Sequence, residues 1–227
     1  NKLSLNETIE NTKKLLIDSM RLRIRSDVPL AFCLSGGVDS SALASIAVKK
    51  FNCKIKTFSI IDSDDRYNEM SNINTTIKDL GCNSELIELS KENFLENLKD
   101  LIQYHDGPVS TITQYIHSLL TSAINKNGYK VAISGTAADE IFSGYYDHFS
   151  LHLYSIKKNK SYQKNLSDWK EYISKFVRNP NFKDPDLYIK NPKFRGHIYD
   201  GSKEISDYLL KPFSNNFEEK VFTKNLF

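Results

Sequence analysis

Several residue types and patterns are scarce in this 227-residue chain, and each scarcity closes off a class of function. There are three cysteines, Cys33, Cys53 and Cys82, with no CxxC pair and no metal-ligand spacing. An odd, widely spaced set argues against a disulfide framework and suits a reducing cytoplasm. Cys33 lies in an apolar run, where a free thiol acts as a small hydrophobe, so a catalytic cysteine is not expected. No apolar run is long enough to span a bilayer, and no stretch has the layout of a signal peptide, so no membrane partner is expected. Neither sign of charge dominates: the net charge is +3 and acids and bases are interspersed. Lys157-Lys158-Asn159-Lys160 is too short for a nucleic-acid patch and reads as a solvated loop or helix end. There is no internal repeat and no low-complexity tract. A Walker loop, with its closing Gly-Lys-Ser/Thr, is also missing.

What is present is an ordinary globular composition, 40% hydrophobic and 26% charged, in a length suited to one α/β domain with an appendage. The organising stretch is Leu30 to Val48. Leu30 to Leu34 is an apolar run that reads as a short buried strand. Gly36 and Gly37 break it, and Asp39, Ser40 and Ser41 supply the cap and first turn of a helix with Leu43, Ile46, Ala47 and Phe51 on its apolar positions. Strand, glycine turn and helix start hold anions well. The first helical N–H groups have no partner inside the helix, and the dipole adds partial positive charge there. Asp39 conflicts with an anion at that place. Two unit charges at about 4 Å repel by roughly 4 kcal/mol in a surface-like dielectric. A cation between them removes the conflict, and Mg2+ favours one or two carboxylates plus phosphate oxygens. The plainer alternative is a βα turn that merely caps its helix.

A second motif runs from Lys130 to Tyr146. Val131 to Ile133 reads as a strand, Ser134-Gly135 closes it, and Asp139-Glu140 opens the next segment. The string Ser35-Gly36-Gly37-Val38-Asp39-Ser40-Ser41 resembles the pyrophosphate loop of the ATP pyrophosphatases, the adenine nucleotide alpha-hydrolase-like superfamily. The second string is similar to the Ser-Gly-x-Gly-x-Asp-Glu-x-Phe-x-Gly-Tyr motif of the glutamine-hydrolysing asparagine synthetase family, synthase domain. Together they cover about Val28 to Phe149.

The resemblance implies a Rossmann-like doubly wound parallel sheet with a mainly helical C-terminal region. It implies an N-terminal helix or linker over 1–27, a nucleotide-binding domain over 28–150 and a C-terminal extension over 151–227, shorter than in the family. It implies ATP and Mg2+ as cofactors. The nucleotide set would be Leu34, Ser35, Gly36, Gly37, Asp39, Ser40, Ser41, Ile60, Ser134 and Gly135. Asp39 and Asp139 would hold the metal, and Asp39, Asp139 and Glu140 would be the catalytic acids. The implied reaction is adenylation of a carboxylate, then amidation with ammonia from an N-terminal glutaminase domain. Two departures stand out. Ala137 occupies a position that is often Gly, and Thr136 one that commonly holds a Glu linked to the acyl-adenylate. The acceptor, aspartate or a related acid, therefore stays open, as does a homodimer. No leading cysteine, trailing lysine or Ser-Met motif is found, so an excised fragment of a longer amidotransferase is expected. An ATP-binding module without turnover, or another branch of the superfamily such as tRNA thiolation, is the alternative.

The rest of the chain reads as alternating elements. Helices are expected over 1–26, from Tyr67 to Leu80, from Ser90 to Tyr104 and from Thr111 to Asn127. Strands are expected from Lys54 to Ile61 and from Ser84 to Leu89. Arg21, Arg23 and Arg25 suit the end of the first helix. Asp62, Ser63, Asp64 and Asp65 read as a solvated loop in preference to a metal site. His105 and Asp106, in a loop before Gly107-Pro108, are candidates for the cleft, although a structural role is favoured for His105. Alternation of strands and helices implies parallel strands with ligands at their carboxyl ends. The two motifs share one cleft only if their strands are neighbours, and adjacency is expected.

Overall fold

The computed structural model describes residues 3–64, 68–89 and 92–194. Asp65, Tyr67, Ser90 and the extension beyond residue 194 lie outside the described residues. Packing divides the chain into two compact units, Asn1–Ala137 and Ala138–Phe227.

The first unit opens with α1, Leu5–Arg23. Its start is a reciprocal capping box: the Ser4 hydroxyl accepts from the Glu7 N–H, and the Glu7 carboxylate accepts from the Ser4 N–H at 2.8 Å. Then follow β1 (Leu30–Cys33), α2 (Val38–Phe51), β2 (Lys56–Ile61), α3 (Met70–Leu80) and β3 (Asn83–Glu88). The unit closes with α4 (Phe94–His105), α5 (Ile112–Lys126) and β4 (Val131–Ile133). The four strands form one parallel sheet in the order β3-β2-β1-β4. Strand order reverses at β1, so the crevice at its carboxyl end is the place for a ligand.

Both faces of the sheet are covered. Met20 of α1, Ala44 and Ala47 of α2 and Leu80 of α3 pack with Phe32 and Ile55 on one side. Ile124 and Leu120 of α5 pack with Ala31, Phe58 and Ile87 on the other. Thr57, Phe58 and Ser59 of β2 are all buried, because this strand is sandwiched between helical layers. Gly81 ends α3 in the left-handed conformation that glycine adopts without strain.

Some boundaries differ from the sequence reading. The cap of α2 is Gly37, not a residue of Asp39–Ser41, because the glycine turn already delivers extended backbone at that position. Helix α4 is preceded by Asn93 in left-handed conformation, with no side-chain cap.

The second unit contains α6 (Ala138–Phe142), α7 (Tyr146–Ser155), α8 (Tyr162–Asp168) and α9 (Leu187–Lys190). After α8 the chain makes a π-turn, Trp169–Ile173, followed by a 3-10 turn, Ser174–Phe176. Leu153, Trp169, Val177, Phe182 and Tyr188 form the core of this unit.

Candidate nucleotide-binding site

The turn between β1 and α2 is held by a closed set of hydrogen bonds. The Ser40 hydroxyl donates to the Gly37 carbonyl (3.3 Å) and accepts from the Ser35 N–H (3.1 Å). With its proton so used, Ser40 accepts from the Ser35 hydroxyl at 3.1 Å. Ser35 in turn accepts from the Gly37 N–H (3.3 Å). The hydroxyls of Ser35 and Ser40, both in the implied nucleotide set, are thus employed in shaping the loop. The Ser41 hydroxyl pairs with that of Thr76 on α3 (3.3 Å).

Gly36 has a φ of +81°, which a side chain would strain. A Cβ there would also meet the Glu69 Cβ at 3.0 Å and the Glu69 carbonyl at 3.1 Å. The first backbone bond into α2 is Ser41 N–H to the Gly37 carbonyl, so the N–H groups of Val38, Asp39 and Ser40 have no acceptor among the described residues. Donors left open at a helix start are suited to an anion.

The second motif meets this turn directly. Strands β1 and β4 pair in parallel, with Leu30, Ala31 and Phe32 opposite Val131, Ala132 and Ile133. Both chains leave the sheet at the same edge, and Gly135 lies against the first turn of α2. A Cβ on Gly135 would come within 2.8 Å of the Ser40 nitrogen and 3.1 Å of the Asp39 Cβ. The adjacency expected from the two motifs holds.

Between them is a cavity of about 340 Å³. Leu34, Ser35, Gly37, Asp39, Ser40, Ile60, Ser134 and Gly135, all expected from the sequence, line it. Thr136 joins them, its hydroxyl 2.6 Å from that of Ser134. Glu69, Ile116, His117 and Leu120 were not marked by any motif; they arrive from α5 and from the residue before α3. His105 and Asp106 do not line this cavity. His105 faces a separate groove between α4 and α5, and Asp106 is the left-handed cap of α4.

The electrostatics follow from burial. Desolvation pushes the Glu69 carboxyl above its ordinary value, although the residue as a whole stays solvent-accessible. Desolvation also raises the Cys33 thiol, which keeps it protonated and a poor nucleophile. All three cysteines are free. Asp39 is exposed at the cavity and beside the unpaired amides. One open carboxylate next to an anion pocket fits Mg2+, whose remaining ligands come from phosphate and water. Among the described residues no three His, Cys, Asp or Glu side chains gather into a complete metal cage.

Asp139 and Glu140 belong to the second unit, in the first turn of α6. Asp139 Cα lies against Gly144, whose N–H donates to the Asp139 carbonyl at 2.9 Å. The Tyr145 hydroxyl donates to Glu140 Oε1 at 2.5 Å.

Comparison with known proteins agrees with these motifs. The family model described as asparagine synthase matches residues 11–198. A glutamine-hydrolysing asparagine synthetase of Bacillus subtilis is 31% identical over 137 residues, 60% of this chain and 21% of that protein. The amidase chyE of Penicillium rubens is 27% identical over 153 residues, 61% of this chain and 23% of that protein. The chain thus spans under a quarter of the length of these relatives. Among solved structures, an NH3-dependent NAD synthetase from Campylobacter jejuni aligns with a TM-score of 0.42 and 13% identity, over 85% of this chain and 96% of that one. Among the described residues no helix is long and apolar enough to cross a membrane.

Proposed function

Because the chain belongs to the asparagine synthase family, we propose that it is the ATP-binding synthase part of a glutamine-dependent amidotransferase. The observation that carries this reading is the contact of Gly135 with the first turn of α2, which brings both motifs onto one cavity. On this reading the nucleotide-binding domain runs over 28–150, and the protein works in the cytoplasm with a glutaminase domain as its ammonia source.

The chemistry is assigned as follows. A substrate carboxylate attacks the α-phosphorus of ATP, forming an acyl-adenylate and releasing pyrophosphate. Ammonia then attacks the acyl carbon; the amide forms, and AMP and a proton leave. The unpaired N–H groups of Val38 and Asp39 bind the pyrophosphate as negative charge builds on it. Ser35 and Ser40 keep those amides aimed by fixing the turn. Asp39, with Asp139, would hold Mg2+, which supplies charge neutralisation for the phosphates. Glu140 is assigned to the same acidic set. Ser134 and Gly135 would lie against the ribose, and the main chain at Ile60 against the base. Thr136, in place of the family's Glu, leaves the acyl end of the cavity uncharged on that side. The relatives include both asparagine synthetases and an amidase, so the acceptor is assigned as a carboxylic acid of the aspartate type or a related one.

Pyrophosphate exchange into ATP, measured with the protein that carries this chain and a panel of carboxylic acids, tests the assignment. Exchange that depends on one added acid supports the enzyme and identifies its acceptor. Nucleotide binding with no exchange for any acid points to a binding module instead.

A further inference from the structure

The walls of the cavity sort by chemistry along its length. Ser35, Gly37, Asp39 and Ser40 make a polar end with unpaired amides. Cys33, Phe58 and Ile60 from the sheet, facing Ile116 and Leu120 from α5, make an apolar end. This apolar end is rigid. Phe58 is fully buried, and Tyr129 meets its ring edge-on, with centroids 5.7 Å apart. Leu120 and Ile124 of α5 belong to the same packed cluster. A fixed slot between a strand and a helix suits a flat ring with polar groups on its rim.

Of the α5 residues in this lining, His117 is the one able to hydrogen-bond. His117 follows Ile116 on α5 and lines the cavity at its rim, where it also borders the groove between α4 and α5. Its carbonyl is tied into the helix by the Thr121 hydroxyl at 3.0 Å. Its imidazole has no hydrogen-bond partner among the described residues. A neutral imidazole offers one donor and one acceptor, on opposite sides of the ring.

We propose that His117 is the residue that recognises the nucleobase: the base lies between Ile60 and α5, in front of the buried Phe58, and the imidazole hydrogen-bonds to its polar edge. The proposal rests on the reading of this cavity as a nucleotide site. It places the purine on the α5 side of the sheet and the phosphates at Gly37–Ser40, and it assigns base selectivity to a helix that carries no recognised motif.

The test compares a ligand with a base and a ligand without one. AMP and magnesium pyrophosphate are titrated calorimetrically into the protein, into His117→Ala and into His117→Gln. One lost hydrogen bond corresponds to an affinity loss of about fivefold to tenfold. The expected result is that loss for AMP in His117→Ala, partial recovery in His117→Gln, and unchanged affinity for pyrophosphate in both. Equal losses for AMP and pyrophosphate, or unchanged AMP binding, would overturn the role of His117. Failure of the unsubstituted protein to bind either ligand would overturn the nucleotide reading itself, which is a separate result.

Discussion

Gly135 and Ser40 stand so close that a Cβ on the first would lie 2.8 Å from the backbone nitrogen of the second. Observed Cβ contacts are essentially never that short, so the β4 turn and the α2 turn fit only with glycine at this place. Gly135→Ala must displace either the anion-binding amides or the Ser134–Thr136 turn. Pyrophosphate affinity of the variant is expected to fall by about tenfold or more, equivalent to roughly 1.4 kcal/mol. Calorimetric titration checks this, and wild-type affinity would show that the two turns need not touch.

Asp39 supplies the second prediction. Asp39→Asn removes the charge but keeps the size of the side chain. If the carboxylate serves a cation shared with the phosphates, Mg-ATP binding falls by about tenfold or more while AMP binding without metal changes little. Equal loss for both ligands would discredit the metal assignment.

Ala137 adopts a φ of +76°, in the left-handed region that is costly for any residue with a Cβ. The sequence comparison with the family already marked this position as one often held by glycine, and the backbone supplies the reason. Ala137→Gly relieves the strain but adds freedom to the unfolded chain. A net gain of about 1 kcal/mol is expected from these opposing terms. Chemical denaturation measures it, and a destabilised variant would contradict the assigned conformation.

Tyr145 and Glu140 form a pair whose titrations are linked. The hydrogen bond to Glu140 is the main cause that pushes the phenol of Tyr145 up to about 12. The same bond is the main cause holding the Glu140 carboxyl below its ordinary 4.5. The phenol's contribution is therefore complete below its unfolded value of 10.0 and is lost as pH climbs through about 12. The carboxyl's contribution is present above 4.5 and is lost as pH falls through its lowered folded value. Tyr145→Phe is expected to return Glu140 upward toward its ordinary range, as followed by NMR titration. An unchanged Glu140 titration in that variant would mean the pair does not form.

Local pattern was enough for the elements around the site. Two apolar runs ended by small residues gave β1 and β4, and the acid and hydroxyls after the first gave the start of α2, because strand burial, glycine turns and helix starts depend on neighbours in sequence. The parallel order and the crevice at the strand ends followed from alternation of strand and helix. Ser35, Asp39, Ile60 and Ser134 were assigned to the site by the resemblance of the two motifs to their family, and all four line the cavity.

The tertiary structure decided the rest. Glu69 and His117 sit in elements whose own sequences carry no motif, and only the packing of α3 against the Gly36 turn and of α5 against β2 brings them to the cavity. The cap of α2 moved to Gly37 because the path of the turn, fixed by the Ser35 and Ser40 hydroxyls, sets the backbone before any side chain caps it. The closeness of Gly135 to Ser40 depends on β4 choosing β1 as its partner, a long-range pairing set by the sheet as a whole. Periodicity reports which face of an element is apolar; which other element covers that face is settled only when the chain is packed.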